Sequence, residues 1–184
     1  MMCYLIRHGK DDDSVRGGWS NSPLTSEGRM QVNNLAVKLT SRDDLNIGMI
    51  YTSDLLRAIQ TADILSVALS APVTELPEFR ESNNGILAGM DNVLAAERYP
   101  GLYWSNLSWE QAYPGGESPC KFHERISNAW YAFKKTIQGL DYNVILVTHG
   151  GVINVIQCIE NGITYSNKSN PFPMGNAEMI GVRV

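Results

Sequence analysis

Three features are scarce in this 184-residue chain, and each scarcity excludes a class of protein. Cysteine occurs only at Cys3, Cys120 and Cys158, an odd number with no C-x-x-C pair. Neither a disulfide framework nor a structural zinc site is expected, and the thiols read as reduced. Long apolar runs are missing too. Nothing approaches the roughly 20 residues of a membrane span, and the opening MMCYLIRHGK meets a charge too soon for a signal-peptide core. These readings predict a cytoplasmic protein with no membrane partner. Basic residues are outnumbered, 15 Lys+Arg against 19 Asp+Glu for a net charge of −4, and they are scattered. A nucleic-acid groove is therefore not expected. Apolar surface, by contrast, is plentiful at 43% of residues, enough to offset chain entropy. Area scaling, with about 70% of the surface buried, suits one domain over 1–184.

The punctuation of the sequence alternates between two periods. Cys3–Ile6 is a short apolar run, read as a buried strand. Val32, Leu35, Ala36 and Leu39 recur at helical spacing behind Thr25 or Ser26 as N-cap. Ile47–Tyr51 reads as a strand, and Leu55, Ile59, Ala62, Leu65 and Leu69 as the apolar face of a second helix that Pro72 ends. Residues 83–116 are irregular, rich in Gly, Asn and aromatics, with room for short helices only. Ser118-Pro119 opens the clearest amphipathic stripe, Phe122, Ile126, Ala129, Trp130, Phe133 and Ile137, read as core, with His123 at its edge. Val144–Val147 is almost wholly apolar, as a central parallel strand should be, and Met179–Val184 suggests a last strand. Strands alternating with helices predict an α/β three-layer sandwich around a mostly parallel sheet. Its functional site is expected just past the strand carboxyl ends.

Two of the three histidines stand there. His8 follows the first strand and His149 follows Val144–Val147, each succeeded by a glycine (Gly9, Gly150) that lets backbone approach a ligand. One histidine at a strand end is usually structural; two at equivalent ends, with Arg7 adjacent, favour function. A metal site built from both and Asp11, Asp12 or Asp13 is disfavoured by the Arg7 charge, so no metal and no cofactor are expected.

Tyr4-Leu5-Ile6-Arg7-His8-Gly9 resembles the signature of the histidine phosphatase superfamily, which includes phosphoglycerate mutases, fructose-2,6-bisphosphatases and α-ribazole phosphatases. The resemblance continues in order through Gly18-Trp19, Pro23 to Gly28, Ser53 to Ala58 with Thr61, Glu81 with Gly85 and Gly89, Pro114 to Ser118, and Val147 to Gly151. It implies a phosphoglycerate mutase-like fold with a small cap at about 83–116. It also implies a phosphohistidine on His8, phosphate clamps at Arg7 and Arg57, and a second pocket donor at His149. Glu81 falls at the position of the proton donor. The chemistry agrees residue by residue. Histidine is largely neutral near pH 7, as a nucleophile must be. Planar guanidinium groups bind two phosphoryl oxygens at once. The free N–H groups of a helix opening at Gly150 favour an anion, and a phosphate beside Glu81 disfavours its carboxylate form, as a proton donor requires.

Departures from that pattern bear on the substrate. The loop Lys10 to Gly17 is shortened, placing Ser14 where the family's phosphate-contacting Asn is counted, with Arg16 as the alternative contact. The three aspartates read as a solvated turn. Ala88 and Asn154 replace an acidic or amide residue and an Arg found in many relatives. Tyr103, Trp104, Trp109 and Tyr113 form either an aromatic lid or a small core. Only 67 residues separate Glu81 from His149, which favours the compact phosphatases over a mutase. A phospho-ligand binding module of low activity is the third reading. The expected partner is a small-molecule phosphomonoester, with a phosphoprotein also admissible. Substrate identity and oligomeric state stay open at this point.

Overall fold

The computed structural model describes residues 1–184, save for the side chain of Asp43. Five strands, β1 (Met2–Arg7), β2 (Ile47–Thr52), β3 (Val73–Glu75), β4 (Asn143–Thr148) and β5 (Met179–Arg183), form one sheet in the order β3-β2-β4-β1-β5. The pairs β1–β4, β4–β2 and β2–β3 are parallel; β5 lies antiparallel against β1. The apolar run Val144–Val147 occupies the centre, where both faces need covering.

Two-residue alternation divides the core. Cys3, Leu5, Val144 and Leu146 pack with Phe122, Ile126, Trp130, Val152 and Ile156 from α4 (Pro119–Ile137) and α5 (Gly150–Glu160). Ile6, Ile50, Ile145 and Val147 face the other way, onto Val32, Ala36, Ala58 and Leu65 of α1 (Ser26–Thr40) and α2 (Leu56–Leu69). The result is the expected three-layer α/β sandwich. Side-chain caps set the helix starts: Thr25 Oγ accepts the Gly28 N–H at 3.0 Å, and Ser118 Oγ accepts the Lys121 N–H at 3.2 Å. At the far end of α2, Ser70 takes a left-handed conformation (φ 52°), ending the helix before Pro72 is reached.

Residues 83–116 hold one short helix, α3 (Asn92–Arg98), among single-turn pieces, and gather Leu87, Ala95, Leu107 and Tyr113 into a small cluster of their own. Backbone bonds tie this segment to the loop after β1: Arg16 N–H donates to Met90 O, and Gly89 N–H to Arg16 O, both at 2.8 Å. Two features have no counterpart in the sequence pattern. The edge strand β3 is three residues long, too short for a period to show. The stretch 161–178 carries no regular element, yet it runs back across the carboxyl ends of the strands.

Candidate active site

Parallel pairing decides what meets at that end of the sheet. Arg7 is in register with Thr148, so the next residues along, His8 and His149, emerge side by side with ring centroids 5.1 Å apart. From β2 the chain delivers Ser53, and α2 then carries Arg57 inward; all four side chains are buried.

The hydrogen bonds of His8 fix its tautomer. Nδ1 lies 2.7 Å from the Gly9 carbonyl oxygen, which can only accept, so the ring proton sits on Nδ1. Nε2 therefore presents a lone pair, and Arg57 Nε donates to it at 3.2 Å. Burial, helped by the Arg57 and Arg7 charges, pushes the His8 pKa down to about 3, so the ring is neutral across the physiological range. His149 is likewise lowered well below its ordinary value, by burial first and then by Arg57 and His8. Its Nε2 meets Ser53 Oγ at 2.8 Å, while its Nδ1 is buried with no partner.

The two arginines are held differently. Arg57 gives Nη2 to the Gly18 carbonyl (2.7 Å) and Nη1 to that of Ser20 (3.0 Å), so it ties the chain that follows β1 to His8. Arg7 donates Nη1 to Met174 O at 2.6 Å and leaves a buried Nε unpartnered. Buried polar atoms without partners are rare and costly. Arg7 Nε and His149 Nδ1 both belong to this cluster.

Glu81 arrives on the loop before the cap. Its Oε1 accepts the Ser82 N–H (2.9 Å) and its Oε2 the Gly151 N–H (3.0 Å) in the first turn of α5. The approach is so close that a Cβ on Gly151 would stand 2.3 Å from Glu81 Oε1. Arg125, from α4, grips the same loop from behind. It donates to the carbonyls of Glu78 (2.8 Å), Arg80 (3.0 Å) and Glu81 (3.0 Å), and pairs with Glu117 at 2.7 Å.

The family model of the histidine phosphatase superfamily, branch 1, matches residues 3–184. The chain belongs to that superfamily. It is 32% identical over 172 residues to a probable phosphatase of Schizosaccharomyces pombe, covering 90% of this chain and 77% of the relative. It is 31% identical over 155 residues to a probable phosphoglycerate mutase of Escherichia fergusonii, covering 82% and 70%. Among solved structures, the α-ribazole phosphatase of Shigella flexneri superposes with a TM-score of 0.84 at 25% identity, over 100% of this chain and 91% of that one. The superfamily's enzymes are phosphatases and mutases, and the phosphoglycerate mutase-like fold is shared.

In this member of the superfamily, Arg7, His8, Arg57, Glu81, His149 and Gly150 come together at one end of the sheet. Gly9 is close as well, but in a packing role. Its N–H donates to Thr61 Oγ1 (3.1 Å), and a Cβ there would strike the Gly28 carbonyl oxygen at 2.6 Å. Ser14 stands apart on an exposed turn, where its N–H and hydroxyl both donate to Asp12 Oδ1. Arg16 lies under the cap, its guanidinium 4.2 Å above the Tyr103 ring. The aspartate run divides: Asp12 and Asp13 are exposed, but Asp11 turns inward, Oδ2 3.4 Å from Arg57 Nε. The reading of all three as a solvated turn is corrected for Asp11, whose burial raises its pKa ahead of the opposing pull of Arg57. Among the aromatics, Trp104 and Tyr113 stack in the cap core at 6.0 Å, whereas Tyr103 remains 41% exposed. The stripe from Phe122 to Ile137 is core as expected, but Arg125 beside it went unread; an arginine eight residues beyond the Pro-Gly-Gly-Glu-Ser glutamate was the available signal.

Among the described residues, no three His, Cys, Asp or Glu side chains converge as metal ligands do. No helix among them is long and apolar enough to cross a membrane.

Proposed function

We propose that this enzyme hydrolyses phosphomonoesters through a phosphohistidine on His8 Nε2, without a metal ion. The observation that carries the reading is the state of His8: a neutral ring, protonated on Nδ1, with its Nε2 lone pair in a buried cluster that also holds the unpartnered Arg7 Nε and His149 Nδ1. In the first step Nε2 attacks phosphorus and the ester P–O bond breaks. Arg7 Nε and His149 Nδ1 are positioned to donate to the equatorial phosphoryl oxygens, whose charge grows in the transition state. Ser53 Oγ accepts the Leu55 N–H at 3.4 Å and keeps its own hydrogen for His149 Nε2, which puts the His149 proton on Nδ1. Arg57 shifts its Nε from the lone pair to an oxygen of the bound group.

Glu81 supplies the proton that the departing alkoxide takes. Water then attacks the phosphohistidine, Glu81 recovers a proton from it, and the P–N bond breaks to release phosphate and neutral His8. The site belongs at the carboxyl ends of β1, β2 and β4, inside the cytoplasm and without a nucleic-acid or membrane partner.

The test is p-nitrophenyl phosphate with a chelator present, together with a search for an acid-labile phosphoenzyme. Turnover that resists chelation and vanishes in His8→Ala supports the reading. A long-lived phosphoenzyme that passes its phosphoryl group to an alcohol faster than to water would make it a mutase. No phosphoenzyme and no turnover would leave a binding module.

A further inference from the structure

Beside Glu81 lies a cleft of about 400 Å³ between the shortened loop and the cap, lined by Arg16, Gly18, Ser82, Asn84, Tyr103 and Tyr113 among others. Two of those residues also hold the reaction centre. Gly18 accepts from Arg57 through its carbonyl, and the Ser82 N–H holds Glu81 Oε1. The cleft therefore opens beside the residue proposed to protonate the leaving oxygen, where a departing alcohol can be held.

The cleft has an unusual charge for a protein of net charge −4. Among the described residues that line it, Arg16 is the only charged side chain, and no carboxylate answers it. Arg16 Nε is buried with no hydrogen-bond partner. The side chain is nonetheless held in place. Its guanidinium rests on the Tyr103 ring at 4.2 Å, and its backbone is pinned on both sides by Met90 and Gly89. Tyr113 adds a hydroxyl whose pKa burial pushes up to about 12 against the pull of Arg16, so it stays a neutral hydrogen-bonding group. A fixed, partly desolvated guanidinium with a free donor is built for a planar or tetrahedral anion.

We infer that the alcohol portion of the substrate carries a second anionic group, a carboxylate or a phosphate, which Arg16 binds from its seat on Tyr103. Arg16 thus contacts the leaving group, not the transferring phosphate. The inference rests on the phosphatase reading of the neighbouring site for the direction in which the ester lies.

Three esters of one carbon skeleton test it: 3-phosphoglycerate, glycerol 1,3-bisphosphate and glycerol 3-phosphate, compared by kcat/KM. At least one of the first two exceeds the third by roughly ten- to a hundredfold, the span of a charge-assisted pair. Which one does so tells carboxylate from phosphate. In Arg16→Gln that ratio falls towards one, and Arg16→Lys keeps part of it. A wild type that shows no preference, or a preference that survives in Arg16→Gln, overturns the inference. Should no ester turn over and no phosphoenzyme form, the phosphatase reading has failed by itself. The same three esters are then compared by calorimetric Kd: a preference lost in Arg16→Gln sustains the anion site, and equal affinities remove it.

Discussion

Replacing Gly151 by alanine tests Glu81, the proposed proton donor, apart from everything else in the site. The added Cβ would stand 2.3 Å from Glu81 Oε1 and 3.1 Å from its Cδ, where ordinary contact begins near 3.4 Å. The obstacle is the end of a flexible side chain, so the carboxylate retreats by about 1 Å while the backbone stays put. Gly151 lies in the first turn of α5 with no left-handed backbone to strain, and alanine there favours the helix by about 0.8–1 kcal/mol. The fold should be unharmed or slightly stabilised. Activity should not. A misplacement of about 1 Å costs on the order of 100-fold, inside the roughly 10²–10⁴ that a general acid contributes. For an alkyl phosphate the expected loss in kcat/KM is therefore about 100-fold, near 2.7 kcal/mol of transition-state stabilisation. With p-nitrophenyl phosphate, whose leaving group departs without a proton, the loss should be only a few-fold. Glu81→Gln sets the ceiling and should show the same split between leaving groups. Equal losses on both esters, in a variant whose thermal midpoint is unchanged, would refute the assignment of Glu81 as donor.

Other perturbations follow from neighbouring contacts. Arg125→Met leaves the largely buried Glu117 carboxylate without its cation and removes a donor from three carbonyls of the Glu81 loop. A loss of about 2–3 kcal/mol, or roughly 4–12 °C in Tm, is expected, with alkyl phosphates affected more than p-nitrophenyl phosphate; an unmoved melting curve counts against it. Asp11→Asn removes an anion that shares Arg57 Nε with His8 Nε2, so vanadate should inhibit roughly three- to tenfold more tightly, and weaker inhibition would mean that Asp11 serves the bound group. Acidification should destabilise the fold. His8 has a folded-state pKa of about 3 against 6.5 unfolded, so its contribution is complete above pH 6.5 and is lost as pH falls from there towards 3. His149 and His123 act with the same sign, while Asp11, raised, opposes them at the acid end. Denaturant unfolding at pH 5 should return a free energy lower by about 2 kcal/mol for His8 alone than at pH 7.5, and a flat profile would mean the ring is not desolvated.

The sequence was most legible where one residue type answers one local demand. Thr25 and Ser118 cap helices as their positions suggest, and Val144–Val147 fills the sheet centre because a strand covered on both faces has no use for polar residues. The histidine and arginine positions could be read because a motif names side chains. What escaped were contacts made through backbone atoms or across long separations. Met174 reaches Arg7 by a carbonyl oxygen, which any residue carries, so nothing in the sequence marks it. Arg125 was hidden inside an amphipathic stripe whose apolar face dominates the pattern. Asp11 and Asp12 are indistinguishable by type, and only the bridge that pairs Asp11 with Leu24 turns the one inward and leaves the other in solvent.

The register of β1 against β4 has a consequence for how far this sequence can drift. The spacing of the two histidines is a lattice constant of the parallel sheet, roughly 4.8 Å between neighbouring strands, maintained by main-chain bonds alone. Substitutions across both strands can accumulate without altering it, provided the residues stay apolar. A single inserted or deleted residue in either strand would displace one ring along the chain and turn it to the opposite face. Divergence by replacement is nearly free at this junction, whereas divergence by length is closed. The loops that carry Arg16 and the cap obey no such constraint, and there a lineage can shorten, lengthen and change what it binds.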